Sequence, residues 1–464
     1  VTMLKILLFC YSEGIFSCRK IEDFCTYDIR AHFLLKGQKA PDHTTISRFR
    51  KALEDFTPDL LTQFSELLIE QGHVDLKSIY IDGTKIEAVA GRYTFVWRKS
   101  VEKYQQKLKE RMIKELKLPE DSSLNYVTQH VRREFNRIRN ICSSNNIVFV
   151  HGIGKRKTQE QRDYEYFQEI IDKLDKYHEH LRIMENRNSY SKTDHDATFM
   201  RMKEDHMLNG QLKPAYNIQI ASSGAFIVGV MGIQKSNDLH TLKPFLEQMM
   251  PRFGEYMINI VTDAGYESVE NYAYLKDKWL MSYIKPANYE TGKRKKTKED
   301  ISRRENMLYL EKEDAYVCKN GKMLMRANDR YRKYESGYRD TLRVYICDEC
   351  TGCPYNSQCI KSRKAEGGSV KTIQFSPDFE QYRSQSNYNI RTENGITQRI
   401  NRSIQAEGMF SKLKDGLKYD RFRHRGMKSV VSDITFMAMA INLNKLHAKN
   451  IKNQKGVIEY RKTA

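Results

Sequence analysis

The sequence predicts an α/β fold, a mixed sheet flanked by helices, and three observations predict it. Short β-prone runs near 79–84, 215–220, 225–230 and 257–262 alternate with amphipathic helical stretches, the pattern of a sheet covered by helices. Two of these runs lead into an aspartate, Asp82 and Asp263. Residues 1–75, by contrast, carry only helical periodicity and form a separate helical N-terminal domain.

In that N-terminal domain Leu53, Phe56, Leu60, Leu61, Phe64, Leu67 and Leu68 recur at helical spacing, and Pro58 stands where a helix would begin. Ahead of them Pro41-Asp42-His43-Thr44 reads as a turn with cap residues. The helix that follows carries Arg48 and Arg50 on its polar side. A DNA-contacting helix-turn-helix and an ordinary capped surface helix are both compatible with this pattern. Ile79–Thr84 is the first strand. From about 98 to 195 the chain reads as long polar helices, with Phe167, Ile170, Leu174, Tyr177 and Leu181 in a seven-residue apolar repeat, a helical insertion. Ala215–Ile220 and Ala225–Val230 flank Ser222-Ser223-Gly224 as a hairpin. A helix over Asp238–Met250, a strand to Thr262, a helix over Glu267–Lys276 and a strand near Leu280–Ile284 complete the series. Residues 286–395 read as an irregular insertion with clustered cysteines and loop-like Glu366-Gly367-Gly368-Ser369. In the last part Ala406, Phe410, Leu413 and Leu417 share a helix face. The expected core is therefore 76–285 plus 396–450, with a basic tail over 451–464.

Lys and Arg number 79 against 59 Asp and Glu, a net charge of +20, which points to a polyanionic partner, nucleic acid first. With 30% charged residues and a mean hydropathy of -0.69, a membrane protein is excluded as a class. The apolar opening Leu4–Tyr11 is short and lacks a cleavage site, so it reads as a buried helix. The run 430–446 is broken by Asp433, Asn442 and Asn444 and reads as a core helix.

Cys347, Cys350, Cys353 and Cys359 have metal-ligand spacing in a chain without a disulfide framework. Four thiolates suit tetrahedral Zn2+. The C-x2-C-x2-C start is shared with iron–sulfur proteins, but the gap to Cys359 departs from the ferredoxin pattern, so zinc is preferred. Reduced, unligated thiols are the plain alternative. Lys412, Lys414, Lys418, Arg421, Arg423, Arg425 and Lys428 interleave with Tyr419 and Phe422, which suits phosphate tracking with base stacking as well as a basic surface over packing aromatics. The run Lys293–Lys298 reads as a solvated loop.

An aspartate at a strand end must meet a ligand, a polar gap or solvent, and three acids on separate elements suit a hard divalent cation. Ile81-Asp82-Gly83-Thr84, Thr262-Asp263-Ala264-Gly265-Tyr266 and Gln405-Ala406-Glu407-Gly408 with Lys414 resemble the three acidic motifs of DDE transposases of bacterial insertion sequences. Ala197–Lys203 and Leu212–Asn217 resemble that family as well, and the likeness runs through residue 446. The third motif departs from the family pattern: an arginine is expected at 403, which is serine with Arg402 beside it, and the tyrosine position is Ile400.

The resemblance implies an RNase H-like fold and catalytic, metal-binding Asp82, Asp263 and Glu407 with Mg2+ or Mn2+. It implies DNA contacts through Lys414, with Arg402 or Arg399 beside it. The double-stranded DNA of the element's terminal inverted repeats and of the target would be the partner, held by a homodimer in a bacterial cytoplasm at the nucleoid, without a membrane. The implied activity is cleavage of element ends and joining to target DNA by two-metal-ion phosphoryl transfer. The alternatives are an RNase H-like nuclease that does not join strands and a domesticated, non-catalytic DNA-binding protein.

Overall fold

The computed structural model describes residues 1–202, 210–361, 370–454, 456–458 and 460. Lys203, the loop Glu366–Ser369 and residues 455, 459 and 461–464 of the expected tail lie outside the described residues. Five helices open the chain: α1 (Thr2–Ser12), α2 (Cys18–Tyr27), α3 (Ile29–Leu35), α4 (His43–Leu53) and α5 (Thr57–Glu70). The Asp42 carboxylate caps α4 by accepting from the Thr45 N–H at 2.6 Å, and Pro58 sits in the first turn of α5, where its missing N–H costs nothing.

Strand β1 (Ser78–Glu87) enters the core. The short β2 (Phe95–Trp97) leads into three long helices, α6 (Arg98–Glu115), α7 (Leu124–Ser144) and α8 (Gln159–Met184), and β3 (Ser189–Ser191) closes the excursion by pairing with β2. Leu108, Met112, Val127, Val131, Ile170 and Leu174 form this insertion's own core. Next come β4 (Thr198–Arg201), the hairpin β5 (Leu212–Ser223) and β6 (Phe226–Ile233), α9 (Leu242–Phe253), β7 (Asn259–Thr262), α10 (Val269–Asp277) and β8 (Met281–Ile284). The hairpin turns at Gly224 and Ala225, both with positive φ, the geometry that matches strand twist. A Cβ on Gly224 would stand 2.7 Å from the His73 carbonyl oxygen. The sheet runs β4-β5-β1-β7-β8 with β6 also on β5; β1 is antiparallel to β5, while β1, β7 and β8 are parallel.

Where the sequence reads as irregular, the chain forms a second sheet after the short α11 (Lys295–Lys298). It comprises β9 (Leu308–Leu310), β10 (Ala315–Val317), β11 (Met323–Lys333), β12 (Arg339–Cys347) and, past α12 (Asn356–Cys359), β13 (Lys371–Phe375), all antiparallel. Its core is thin, chiefly Tyr316, Leu324, Tyr345 and Ile373. Most of β11 is exposed, so charges fill positions where apolar alternation would have marked a strand. After α13 (Pro377–Asn389) comes one long irregular helix. Its parts are α14 (Glu393–Arg402), a π-turn over Ser403–Glu407, α15 (Gly408–Ser411) and a second π-turn over Lys412–Gly416. The last helix is α16 (Met427–Ile451). Among the described residues no helix is long and apolar enough to cross a membrane.

Side chains alternate across the central sheet. Ile86, Ile218, Ile220 and Val230 face a core built with α16 and α1–α4, whereas Ile79, Ile81, Ala221 and Val228 face α9 and α10. Asp433 of α16, buried, closes the first layer. It accepts from Arg50 Nη2 at 2.6 Å and from the hydroxyls of Tyr11 and Tyr419.

Candidate active site

Two strands position the first two acids. The parallel register pairs Ser78 with Asn259, Ile79 with Ile260 and Tyr80 with Val261; continued two residues further, it brings Asp82, midway along β1, level with Asp263, which directly follows β7. The strand expected to end at Thr84 runs on to Glu87, because its pairing with β5 continues that far. Tyr80 and Val261 share one small core with Tyr283 and Ile390, and with a side-chain period of two the two aspartates share that face as well. Asp82 is buried, with Oδ1 accepting from its neighbour's N–H, Gly83 N, at 2.8 Å. Asp263 Oδ1 accepts from Gly265 N at 2.8 Å.

Glu407 ends the first π-turn, on the exposed side of the long helix. An α-helical turn would align residue 403 with Glu407, whereas a π-turn spans five residues. That extra residue brings Arg402 into line: its guanidinium reaches Glu407 Oε1 at 3.4 Å and Asp82 Oδ2 at 3.8 Å. Ser403 Oγ also donates to Glu407 Oε2 at 3.3 Å.

Behind the acids lies a network that the sequence reading did not single out. Asp238, in the 3-10 turn Asp238–His240 ahead of α9, accepts from Asn217 Nδ2 at 2.8 Å and Gln219 Nε2 at 3.0 Å, both on β5. The Gln219 Oε1 accepts from the Tyr266 hydroxyl at 2.5 Å and the Thr241 hydroxyl at 3.1 Å. Burial, together with the charges of Asp238, Asp82 and Asp263, pushes the Tyr266 phenol far up, so it remains a donor. The fit beneath Gly83 is close: a Cβ there would lie 2.3 Å from Gln219 Nε2 and 2.7 Å from Asp238 Oδ1. Asp238 reads in sequence as a helix-starting aspartate; only the fold brings it under the strand ends.

Three carboxylates are the donor chemistry of a hard divalent cation, and the adjacent register of Asp82 and Asp263 suits a shared ion. Glu407 pairs with the Arg402 guanidinium, and among the described residues no three His, Cys, Asp or Glu side chains close into a metal cage. The donor set therefore fits a divalent cation in type.

The other expected contacts separate. Arg50 is a correction: it is buried and committed to Asp433, with Nη1 on the Phe16 carbonyl at 3.3 Å, so it cannot face DNA. Tyr419 and Phe422 are likewise buried core aromatics and not stacking platforms. Arg48, Arg421 and Arg423 are exposed, and Lys414 is half-buried in the second π-turn. Arg421 donates to the carbonyls of Ala88 and Ala90 and pairs with Glu87 at 3.7 Å, tying the loop before α16 to the end of β1.

Cys347, Cys350, Cys353 and Cys359 come together around a cavity of about 20 Å3, and Cys318 from the β10–β11 turn lines it too. That space suits a single water-sized guest. Cys350 Sγ accepts from Lys371 N at 3.2 Å, and burial pushes the Cys347 thiol up to about 11. Cys318 was legible only as a distant cysteine, because the register of β10 to β12 is what carries it to the same sheet end.

A family model described as Transposase DDE domain matches residues 317–447, and one described as Transposase domain (DUF772) matches residues 1–52. No curated protein and no solved structure matches the chain. The first match takes in the cysteines, Glu407 and α16; the second covers α1 to α4; Asp82 and Asp263 lie between them. The two matches together cover less than half of the chain, and they make it similar to the DDE transposases of insertion-sequence type.

Proposed function

We propose that this transposase cleaves the ends of its insertion sequence and joins them to target DNA at one site, with Asp82, Asp263 and Glu407 as its acids. The observation that supports the reading is the register of β1 and β7, which continued two residues past Tyr80 and Val261 brings Asp82 level with Asp263, together with Arg402, which reaches both Asp82 and Glu407. DDE transposase domains generally work with divalent metals such as Mg2+. Such an ion, or Mn2+, supplies Lewis acidity toward phosphate oxygens and toward the attacking hydroxyl. Asp82 and Asp263 would hold it, and Glu407 would join them once Arg402 yields to a DNA phosphate. Gln219 and Asp238, packed against Gly83, and Asp238 near Gly265, would brace the backbone next to Asp82 and Asp263.

DNA follows from the family; its path would run over Lys414, Arg402, Arg421, Arg423 and Arg48. A homodimer would hold two ends together. The cysteines Cys347, Cys350, Cys353 and Cys359 would bind one structural Zn2+, pinning α12 to the end of β12.

The test is cleavage and strand joining on duplexes drawn from the DNA flanking the coding sequence, with Mg2+. Asp82→Asn, Asp263→Asn and Glu407→Gln proteins should each lose both activities while keeping wild-type circular dichroism. Cleavage without joining by the wild type would make it a nuclease, and full activity in all three variants would end the assignment.

A further inference from the structure

Beside the acids lies a group of cations that the proposed chemistry leaves unused. Tyr289 sits half-buried after β8, and four cations surround its ring. Lys293 Nζ is 4.1 Å from the ring centroid and Lys285 Nζ 5.6 Å; the Arg399 and Arg391 guanidinium carbons are at 5.4 and 5.7 Å. Arg399 Nη1 also donates to the Tyr289 hydroxyl at 3.4 Å. The acid paired within this group is Glu290, with Lys285 at 3.0 Å and Lys293 at 3.3 Å, so these six side chains carry an excess of three positive charges. A ring face offsets only part of the repulsion among four cations, and a polyanion would offset the rest.

Two elements fix the distance of this cage from the acids. The register pairs Thr262 with Ile284, and Lys285 N donates to the Thr262 carbonyl at 3.4 Å, which puts Lys285 beside Asp263 one strand over. Arg399 lies on α14 less than one turn before Arg402, the residue that reaches Asp82 and Glu407. A strand spacing of about 4.8 Å and a helical turn of about 5.4 Å compare with a rise of about 3.4 Å per nucleotide. The exposed run Arg294, Lys295, Lys296 and Lys298 continues outward from Lys293.

We propose that Tyr289 with Lys285, Lys293, Arg391 and Arg399 forms a phosphate subsite for the DNA strand being cut, roughly one to two nucleotides from the reacting bond. The inference rests on the transposase reading of the adjacent acids. Glu290 occupies two of the cations until a phosphate displaces it, so it weakens binding, whereas Lys293 and Arg391 strengthen it. Because the contacts are to phosphate, the effect is the same for every DNA sequence.

The full chain is titrated by fluorescence anisotropy against a fluorescein-labelled duplex from the flanking DNA and a scrambled duplex of equal length, without divalent metal, over a range of NaCl. The Lys293→Ala/Arg391→Ala protein should bind both duplexes more weakly, with a log–log salt slope shallower by about 2. Glu290→Gln should bind both more tightly. Lys173→Ala, far out on α8, should match the wild type. Wild-type slopes in both cage variants, in a protein that does bind DNA, would overturn the subsite and leave the transposase reading intact. Failure of the wild type to bind either duplex would overturn the DNA reading itself.

Discussion

The seam where α16 meets the N-terminal helices and the exposed edge of the candidate site each hold an arginine beside an aspartate, and the two pairs are built differently. In the seam, Arg50 and Asp433 are both buried, 2.6 Å apart, and two tyrosine hydroxyls complete the carboxylate's partners. At the edge, Arg402 stands 3.8 Å from Asp82 and 3.4 Å from a largely exposed Glu407, on a helix interrupted by two π-turns. A pair closed on all sides serves the fold; a pair left long and open beside acids can be exchanged for a ligand. The sequence offered Arg50 to DNA through a helix-turn-helix reading and Arg402 through the family resemblance, and burial divides them.

Breaking the seam should have the largest effect on stability. Asp433→Ala leaves Arg50 as a buried charge without its partner, which costs about 3–5 kcal/mol, seen as a large fall in the denaturation midpoint or loss of soluble protein. The same seam predicts a pH effect. Lys445 of α16 donates to the Ala225 carbonyl, and burial, with Lys412 and Lys449 nearby, lowers its pKa from 10.5 to about 7. Between those values the unfolded chain holds the extra proton, so stability rises as pH rises from 7 toward 10.5 and is lost in the opposite direction. Lys445→Met should flatten that rise and add ~2 kcal/mol near neutral pH, after allowance for the side chain's partial exposure; an unchanged pH profile in denaturant melts would remove Lys445 as its source.

At the edge the order of effects inverts. Gly83→Ala pushes a methyl into Gln219 and Asp238 and should cost about 1–3 kcal/mol, with a larger proportional loss of cleavage than of stability. Arg402→Gln should change stability by less than about 1 kcal/mol while lowering cleavage on the order of 10²-fold through misplaced phosphate. If Arg402→Gln instead unfolded the protein as Asp433→Ala does, the contrast between the two pairs would fail.

Elements with strong periodicity were readable from the sequence. The strand before Asp263, the helices of the insertion and the helical opening appear where apolar spacing placed them, since each buries a face that its residues announce, whereas β1 runs past Asp82 to Glu87. The β9–β13 sheet was not readable, because β11 and its partners are largely exposed and carry charge where alternation would show. Both Glu407 and Arg402 were visible as residues, but their alignment was not, because no pattern of side chains encodes a π-turn. Asp238, Cys318 and Tyr289 needed the tertiary register, which brings together positions far apart in the chain.

The apolar cluster shared by α1–α4, the outer face of β5 and β6, and α16 has a consequence for how such an enzyme can diversify. Its opening helices pack directly on one face of the central sheet, so a relative's helices could not be grafted in their place as a cassette. A workable hybrid would have to import the matching α16 as well, which makes α1–α4 and α16 a single inherited unit.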